Sequence, residues 1–427
     1  MKACGACYRL YADEGGFCPV DGTRLDPAAE VTPPSNPADP RVGATLCNGR
    51  YRVFRVVADG GMGRVYQAFD LAQQRTVALK ILHPEVATDG IAVERFKREF
   101  ELSSSLGHEH IVEVYAFERT EDQSYALVME YLEGEELRTL LKREKTIPPA
   151  RVVRMISQIA LGLEPPHRRH IVHRDLKPDN IFLVGSREGD RVKILDFGSV
   201  RDNSQGAKKL TVMGTTIGSP FYMAPEQAQG LEALDHRADV WSVAAIAYES
   251  LTGTVPFRGT TGPAILLAIL TKEPTPPSEA GAALRVPATL DPVMEEALAK
   301  NPEIRLPTVG ALAARLGAAY GLTGDHREWA KVPLGEIENR IRNGLPGAIE
   351  ARSASIGPAQ NLGAMDAAFA AASPGAAVAA APSPSGAPFS EDLVMGVPSG
   401  PPRWLVPVVA LVAVIIGMVI AVVATRG

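Results

Sequence analysis

The run TVALKIL, residues 76–82, constrains the fold of this chain more than any other stretch, because it places Lys80 inside a β-type segment that is apolar on both faces. A lysine in a buried strand needs an anionic partner, since an unpaired ammonium loses its hydration without compensation. The helix-like pattern that follows, VERFKREFELSSSL, offers Glu99 as one such partner. Upstream, VVADGGMGRVYQAF sets Gly60, Gly61 and Gly63 between two strand-like runs. Glycines in that position let a backbone approach a polyphosphate and aim N–H groups at it. Alone, the cluster reads equally well as a tight hairpin. A nucleotide phosphate lying against Lys80, with Glu99 on the other side, would satisfy the ammonium from both directions.

Around this element the chain changes character several times. Residues 1–25 hold three of the four cysteines, and 26–50 follow as a linker whose first part, DPAAEVTPPSNPADPR, has no apolar periodicity. From 51 to about 320, short β-type runs come first (YRVFRVVA, GRVYQAFD, TVALKIL, IVEVYAFER, YALVMEYL), with one amphipathic helix between the third and fourth. Helical patterns dominate after residue 135, which predicts one globular unit of two lobes. Residues 321–402 read as a tether, rich in Ala, Pro, Gly and Ser from 344 onward. The segment 404–425, WLVPVVALVAVIIGMVIAVVAT, carries no charge and is long enough for a bilayer-spanning helix.

The formal net charge of −5 on 427 residues gives no electrostatic footprint for nucleic acid. Four cysteines do not make a disulfide framework in a chain of this size, so a reducing compartment is expected. The first residues contain no apolar run of the secretory type. The expected location is a cytoplasmic (inner) membrane, crossed once, with the large unit on the cytoplasmic side, and pairing of chains as a homodimer stays open.

The stretch HRDLKPDNIFL, beginning at His173, crowds an Asp, a Lys and an Asn into a fixed spacing. Taken in order, the glycine loop, VALK, the helix Glu, HRDLKPDN, DFG and APE resemble the serine/threonine protein kinases of eukaryotic type, and GGMGRVY with YMAPEQ is similar to their bacterial branch. The resemblance covers about residues 51–318 and implies an α+β, bilobal kinase fold: a small, mainly β N-lobe with one helix and a larger, mainly α C-lobe. It implies ATP with Mg²⁺ or Mn²⁺ as cofactors and protein serine and threonine hydroxyls as acceptors.

Phosphoryl transfer asks for in-line positioning and charge neutralisation more than for covalent help. The resemblance assigns Asp175 to the acceptor hydroxyl, Lys177 to the γ-phosphate, and Asn180 and Asp196 to the metal ion. Gly60, Gly61, Gly63, Val65, Ala78 and Lys80 would line the nucleotide, with Lys80 paired to Glu99. Met129 would back the adenine, the backbone of Glu130 to Leu132 would read the base, and Glu136 would lie near the ribose. Asp179 and His173 are read as structural. Arg174 before Asp175 marks kinases whose activation segment is ordered by phosphate, and Thr211, Thr215 and Thr216 are the candidate autophosphorylation sites. Ser219 replaces a family Thr. Glu226 is expected to pair with Arg305, and Asp239 to accept backbone hydrogen bonds from the catalytic loop.

Some positions depart from the pattern. Ala58 replaces the first loop glycine, Ala244 replaces a helix glycine, and Pro165 with Pro166 should end or kink the long helix near Leu163, at a cost of about 3 kcal/mol for each interior proline. A pseudokinase scaffold that binds nucleotide and partners is the alternative these departures allow. At the N-terminus, Cys4 and Cys7 form C-x2-C, and Cys18 with Asp21 repeats the spacing with a carboxylate. The pattern resembles a zinc ribbon with its fourth Cys replaced, and it reads either as a Zn²⁺ site or as a degenerate knuckle. Cys47 lies outside the spacing.

Overall fold

The computed structural model describes residues 1–197 and 220–355, apart from positions 35, 37, 232 and 285. Thr211, Thr215, Thr216, Ser219 and the apolar segment 404–425 lie outside the described residues. No helix of the described residues is long and apolar enough to cross a membrane.

The chain opens with β1 (Lys2–Cys4), β2 (Leu10–Tyr11) and β3 (Leu25–Pro27), an antiparallel sheet in the order β2-β1-β3. Strands this short enclose only a small cluster of their own, Cys4, Cys18 and Leu25. Ala3, Leu10, Ala28 and Val31 instead bury against Phe54 and Phe69 of the next sheet. Residues 26–50, expected as a linker, are laid on that sheet too. Val53 N donates to Ala44 O at 2.9 Å, Gly43 N donates to Val53 O at 3.0 Å, and β4 (Thr45–Leu46) pairs with the next strand. The cause is local. Gly43 has φ +85, where a Cβ would come 2.6 Å from Pro33 O, so the proline-rich stretch folds back closely instead of extending.

The N-lobe sheet adds β5 (Tyr51–Asp59), β6 (Gly63–Asp70), β7 (Arg75–Leu82), β8 (Val114–Arg119) and β9 (Tyr125–Glu130), antiparallel in the order β4-β5-β6-β7-β9-β8. Lys80 is thereby interior to the sheet, opposite Val65 on one side and Leu127 on the other. Between β7 and β8 come α1 (Pro84–Ala87) and α2 (Gly90–Leu106). Asp89 caps α2 through Ile91 N, and Gly107 ends it at φ +33. Its buried residues, Ala92, Phe96, Glu99, Ser103 and Leu106, recur every third or fourth position, so Glu99 lies on the stripe that faces the sheet.

The C-lobe begins with β10 (Gly134–Glu136), α3 (Leu137–Glu144) and α4 (Pro149–Arg168), then β11 (Ile181–Val184) and β12 (Arg191–Ile194), which form a sheet with β10. From residue 220 onward come α5 (Pro225–Ala228), α6 (Arg237–Thr252), α7 (Gly262–Thr271), α8 (Pro277–Ala280), α9 (Asp291–Ala297) and α10 (Val309–Ala319). α6 is buried nearly all round, Ala244 included, as an apolar helix at the centre of a lobe must be. The α+β, two-lobed architecture expected from the sequence is present.

Two further expectations need correction. Pro165 and Pro166 do not end α4 near Leu163; the helix runs to Arg168. They occupy its last turn, where the ring costs only the bonds to the carbonyls of Leu161 and Gly162 and no further turn has to follow. Arg169 N and Ile171 N then close on Pro166 O at 3.0 and 2.9 Å. The tether, placed from 321, is also displaced. Residues 321–355 form α11 (His326–Trp329) and α12 (Leu334–Ser355). Trp329 and Ile337 are fully buried in the C-lobe core, because composition averaged over the segment hides a few large apolar side chains at core-facing positions.

Candidate active site

β7 and α2 deliver the first pair. Lys80 Nζ donates to both carboxylate oxygens of Glu99, at 3.0 and 2.9 Å, and lies 3.5 Å from Asp196 Oδ2. Burial works against the ammonium, yet the carboxylates of Asp196 and Glu99 hold its pKa above the usual lysine range. Glu99 is pushed up to about 7 by burial and by Asp196, against the pull of Lys80. Two acids thus share one cation. Asp196 sits at φ +58, a conformation uncommon for a residue with a side chain and typical of functional sites.

The glycine turn joins β5 to β6 above this pair. Gly60 N donates to Gly63 O at 3.0 Å, and His83 N donates to Met62 O at 3.1 Å. Its glycines serve different ends. A Cβ on Gly63 would meet Ile81 O at 2.3 Å, so β7 requires the glycine, whereas Gly61 has nothing within 4 Å and leaves the backbone open to a ligand. Below, Ala78 pairs with Met129 across β7 and β9. Met129, Leu132 and Leu195 are half-buried and pack onto the Phe96 and Leu127 cluster. Glu130 is more committed than the sequence suggests: its N–H donates to Glu113 O at 2.9 Å, and its carboxylate takes Lys193 Nζ at 2.5 Å. Burial and Asp179 raise the Glu136 carboxyl above its normal range.

The catalytic loop follows α4. Lys177 Nζ donates to Asp175 Oδ2 at 2.7 Å. Asn180 Nδ2 donates to Asp175 O at 2.8 Å and to its Oδ2 at 3.2 Å. The amide nitrogen of Asn180 being engaged, its carbonyl oxygen and the Asp196 carboxylate are the hard oxygen donors at the site, a set that fits Mg²⁺. His173 packs edge-on to Phe197 with centroids 4.8 Å apart. Asp179 accepts from Arg138 Nε and Nη2, both at 3.2 Å. Arg305 forms a two-point ion pair with Glu226 at 2.7 and 2.9 Å. Asp239 accepts the N–H of His173 and of Arg174, each at 2.9 Å.

Several residues here escaped the sequence reading. His167 holds Asp239, and Gln227 Nε2 donates to Arg174 O at 2.8 Å. Arg138 also donates to Tyr222 Oη at 2.8 Å, joining the catalytic loop to the end of the activation segment. Tyr222 and Gln227 lie within the YMAPEQ motif, which marked their positions without revealing these bonds.

A second cluster lies in the N-terminal module. One ligand atom each from Cys4, Cys7, Cys18 and Asp21 falls within 4.8 Å of the others. Cys7 Sγ and Cys18 Sγ are 3.6 Å apart. Backbone N–H groups of Ala6 and Cys7 donate to Cys4 Sγ at 3.3 Å, and Val20 N donates to Cys18 Sγ at 3.4 Å. Cys47 is buried elsewhere, its thiol pushed up to about 12 by burial and nearby glutamates.

A bilobal fold with a strand lysine paired to a helix glutamate, over a loop carrying Asp, Lys and Asn, defines a phosphotransferase of the kinase type. The protein kinase domain model matches residues 51–315, and the chain belongs to that family. It is 38% identical over 283 residues to serine/threonine-protein kinase pkn3 of Myxococcus xanthus, covering 66% of this chain and 51% of that protein. It is 35% identical over 290 residues to serine/threonine-protein kinase PknD of Mycobacterium tuberculosis, covering 68% and 42%. The chain thus matches about half or less of the length of these relatives. Among solved structures, the M. tuberculosis PknI kinase domain superposes with a TM-score of 0.51 at 26% identity, over 65% of this chain and 98% of that one.

Proposed function

We propose that this protein is an active, ATP-dependent serine/threonine protein kinase, anchored in the cytoplasmic membrane by residues 404–425 and carrying Zn²⁺ in its N-terminal module. The observation that carries the catalytic reading is the Lys80–Glu99 ion pair, closed within 3.5 Å of Asp196. A scaffold that had lost catalysis would have no need of this charged constellation, which is costly to bury. Its cation and the open backbone at Gly61 suit a triphosphate. Mg²⁺, when bound by Asn180 and Asp196, supplies neutralisation of charge on the transferred phosphoryl group. Asp175 orients the acceptor hydroxyl and takes its proton, while Lys177, 2.7 Å from it, balances charge at the γ-phosphate.

Arg174, directly before Asp175, suits activation by phosphate on Thr211, Thr215 or Thr216, which phosphopeptide mapping would test. The zinc reading is supported by the ligand spacing: tetrahedral Zn–S bonds of about 2.3 Å put sulfurs about 3.8 Å apart, close to the Cys7–Cys18 separation of 3.6 Å. The anchor rests on the uncharged run at 404–425, and fractionation with alkaline extraction tests it. The deciding experiment is transfer of labelled γ-phosphate to a basic protein substrate by wild type and by Asp175→Asn. The variant should lose activity by about a hundredfold or more; equal signals would favour the scaffold.

A further inference from the structure

The segment ahead of the matched kinase domain reaches the nucleotide loop through one buried carboxylate. Asp39, only 6% exposed, accepts at Oδ2 from Arg64 Nη1 at 2.7 Å and Tyr66 Oη at 2.9 Å, and at Oδ1 from Arg41 N at 3.1 Å. Arg64 is the residue after Gly63. Its Nε donates to Asp59 Oδ2 at 3.0 Å, across the mouth of the glycine turn. Asp59 Oδ1 lies 3.2 Å from His83 Nε2, which is itself 2.9 Å from Gly60 O. The two ends of the turn are therefore tied together by Arg64, and Arg64 is held from behind by Asp39.

We propose that Asp39, acting through Arg64, is a positioning residue for ATP: it fixes the glycine turn in the form that receives the phosphates. The role rests on the kinase reading above. Arg64 does not serve as a phosphate ligand, because two carboxylates already engage its guanidinium. Asp39 lies outside residues 51–315, so the kinase domain of this chain borrows part of its phosphate site from the N-terminal segment. Asp39 is also close in sequence to Gly43 and β4, which fix the segment to the sheet, and Arg41 Nη2 anchors it to Asp122 at 2.5 Å.

The test compares binding of MgATP with binding of adenosine, which lacks phosphates, to full-length wild type, Asp39→Asn and Arg64→Gln. Both variants should bind MgATP about three- to tenfold more weakly, the scale of a lost charge-assisted contact, with adenosine affinity unchanged. KM for ATP should rise while kcat stays within about twofold, and Asp39→Glu should restore part of the loss. The double variant should be no worse than the weaker single one, since both cut the same link. Should Asp39→Asn not fold, Arg64→Gln decides alone, its side chain being 29% exposed. Unchanged or tighter MgATP binding, or equal weakening of MgATP and adenosine, overturns the proposal. Failure of wild type to bind MgATP at all would instead refute the kinase reading.

Discussion

His167 Nε2 lies 2.8 Å from Asp239 Oδ2, and the same carboxylate group accepts the N–H of His173 and Arg174. Nε2 must carry the proton, since an ionised carboxylate only accepts. Asp239 is fully buried. Burial opposes its charge, but His167 and the backbone donors hold its carboxyl below the usual range. Arg174 stands at φ +68, a costly conformation that persists only where its surroundings enforce it. The last turn of α4, prolines included, thus delivers the imidazole that seats the residue before Asp175.

Replacing His167 with Ala leaves a buried carboxylate one donor short. The expected cost is about 1–3 kcal/mol of stability, read by thermal melting. Activity should fall mainly in kcat, because the loop bearing Asp175 loosens while the nucleotide contacts in the N-lobe stay intact. A variant that melts as wild type does and keeps its kcat would show that the two backbone donors suffice.

Glu99 predicts an unusual pH profile for the protein without nucleotide. Its pKa in the fold, about 7, lies above the ordinary 4.5. A raised value means that the folded state holds the proton more tightly, so this contribution is fully present below pH 4.5 and is lost as pH rises through 7. Glu99→Gln removes the titration. Its stability should gain on wild type by about 1–3 kcal/mol between pH 5 and pH 8, while its MgATP affinity drops because Lys80 has lost its clamp. Melting curves across that range check the sign; a difference that stays flat with pH would rule out a raised pKa for Glu99.

The C-terminal extension should prove integral to the kinase lobe. Trp329 is fully buried and lies against Gly317, where a Cβ would come 2.2 Å from the indole. Gln158 Nε2 on α4 donates to Ala330 O at 3.2 Å, while its Oε1 accepts Val192 N at 2.7 Å on the strand leading to Asp196. Trp329→Ala should cost about 3–5 kcal/mol, and Gly317→Ala about 1–3 kcal/mol through overpacking. Denaturant titration of each variant measures this. If chains ending at residue 320 were as stable as those ending at 355, the extension would be mere decoration.

What could be read from the sequence had short-range signatures. Lys80, Glu99, Asp175, Asn180 and Asp196 sit in motifs whose spacing mirrors the chemistry; the structure brings Lys80 to Glu99 and Asp196, and Asp175 to Asn180. The rest depended on pairings that leave no periodic trace. Asp39 meets Arg64 from 25 positions away, inside a stretch whose proline content alone says linker. His167 was obscured by the two prolines before it, since helix rules fix a penalty for proline but not its distance from the helix end. Trp329 belongs to a helix of four residues, too short for any pattern to register.

The N-terminal module yields the last prediction. Cys4, Cys7, Cys18 and Asp21 should hold one Zn²⁺ per full-length chain, with Cys47→Ser leaving the stoichiometry unchanged because Cys47 stands outside the group. Asp21→Cys should bind zinc more tightly, thiolate being the better donor for this ion. Removing the metal ought to reach beyond the module. Its strands are too short to persist without the cross-link, and their loss would uncover Phe54 and Phe69, which Ala3, Leu10, Ala28 and Val31 now cover. Chelation should therefore lower the melting temperature of the kinase domain by about 2–6 °C and raise binding of an apolar dye, in one transition. Metal analysis alongside calorimetry provides the check: an N-lobe that melts identically with and without stoichiometric zinc would show that the module rides on the sheet without supporting it.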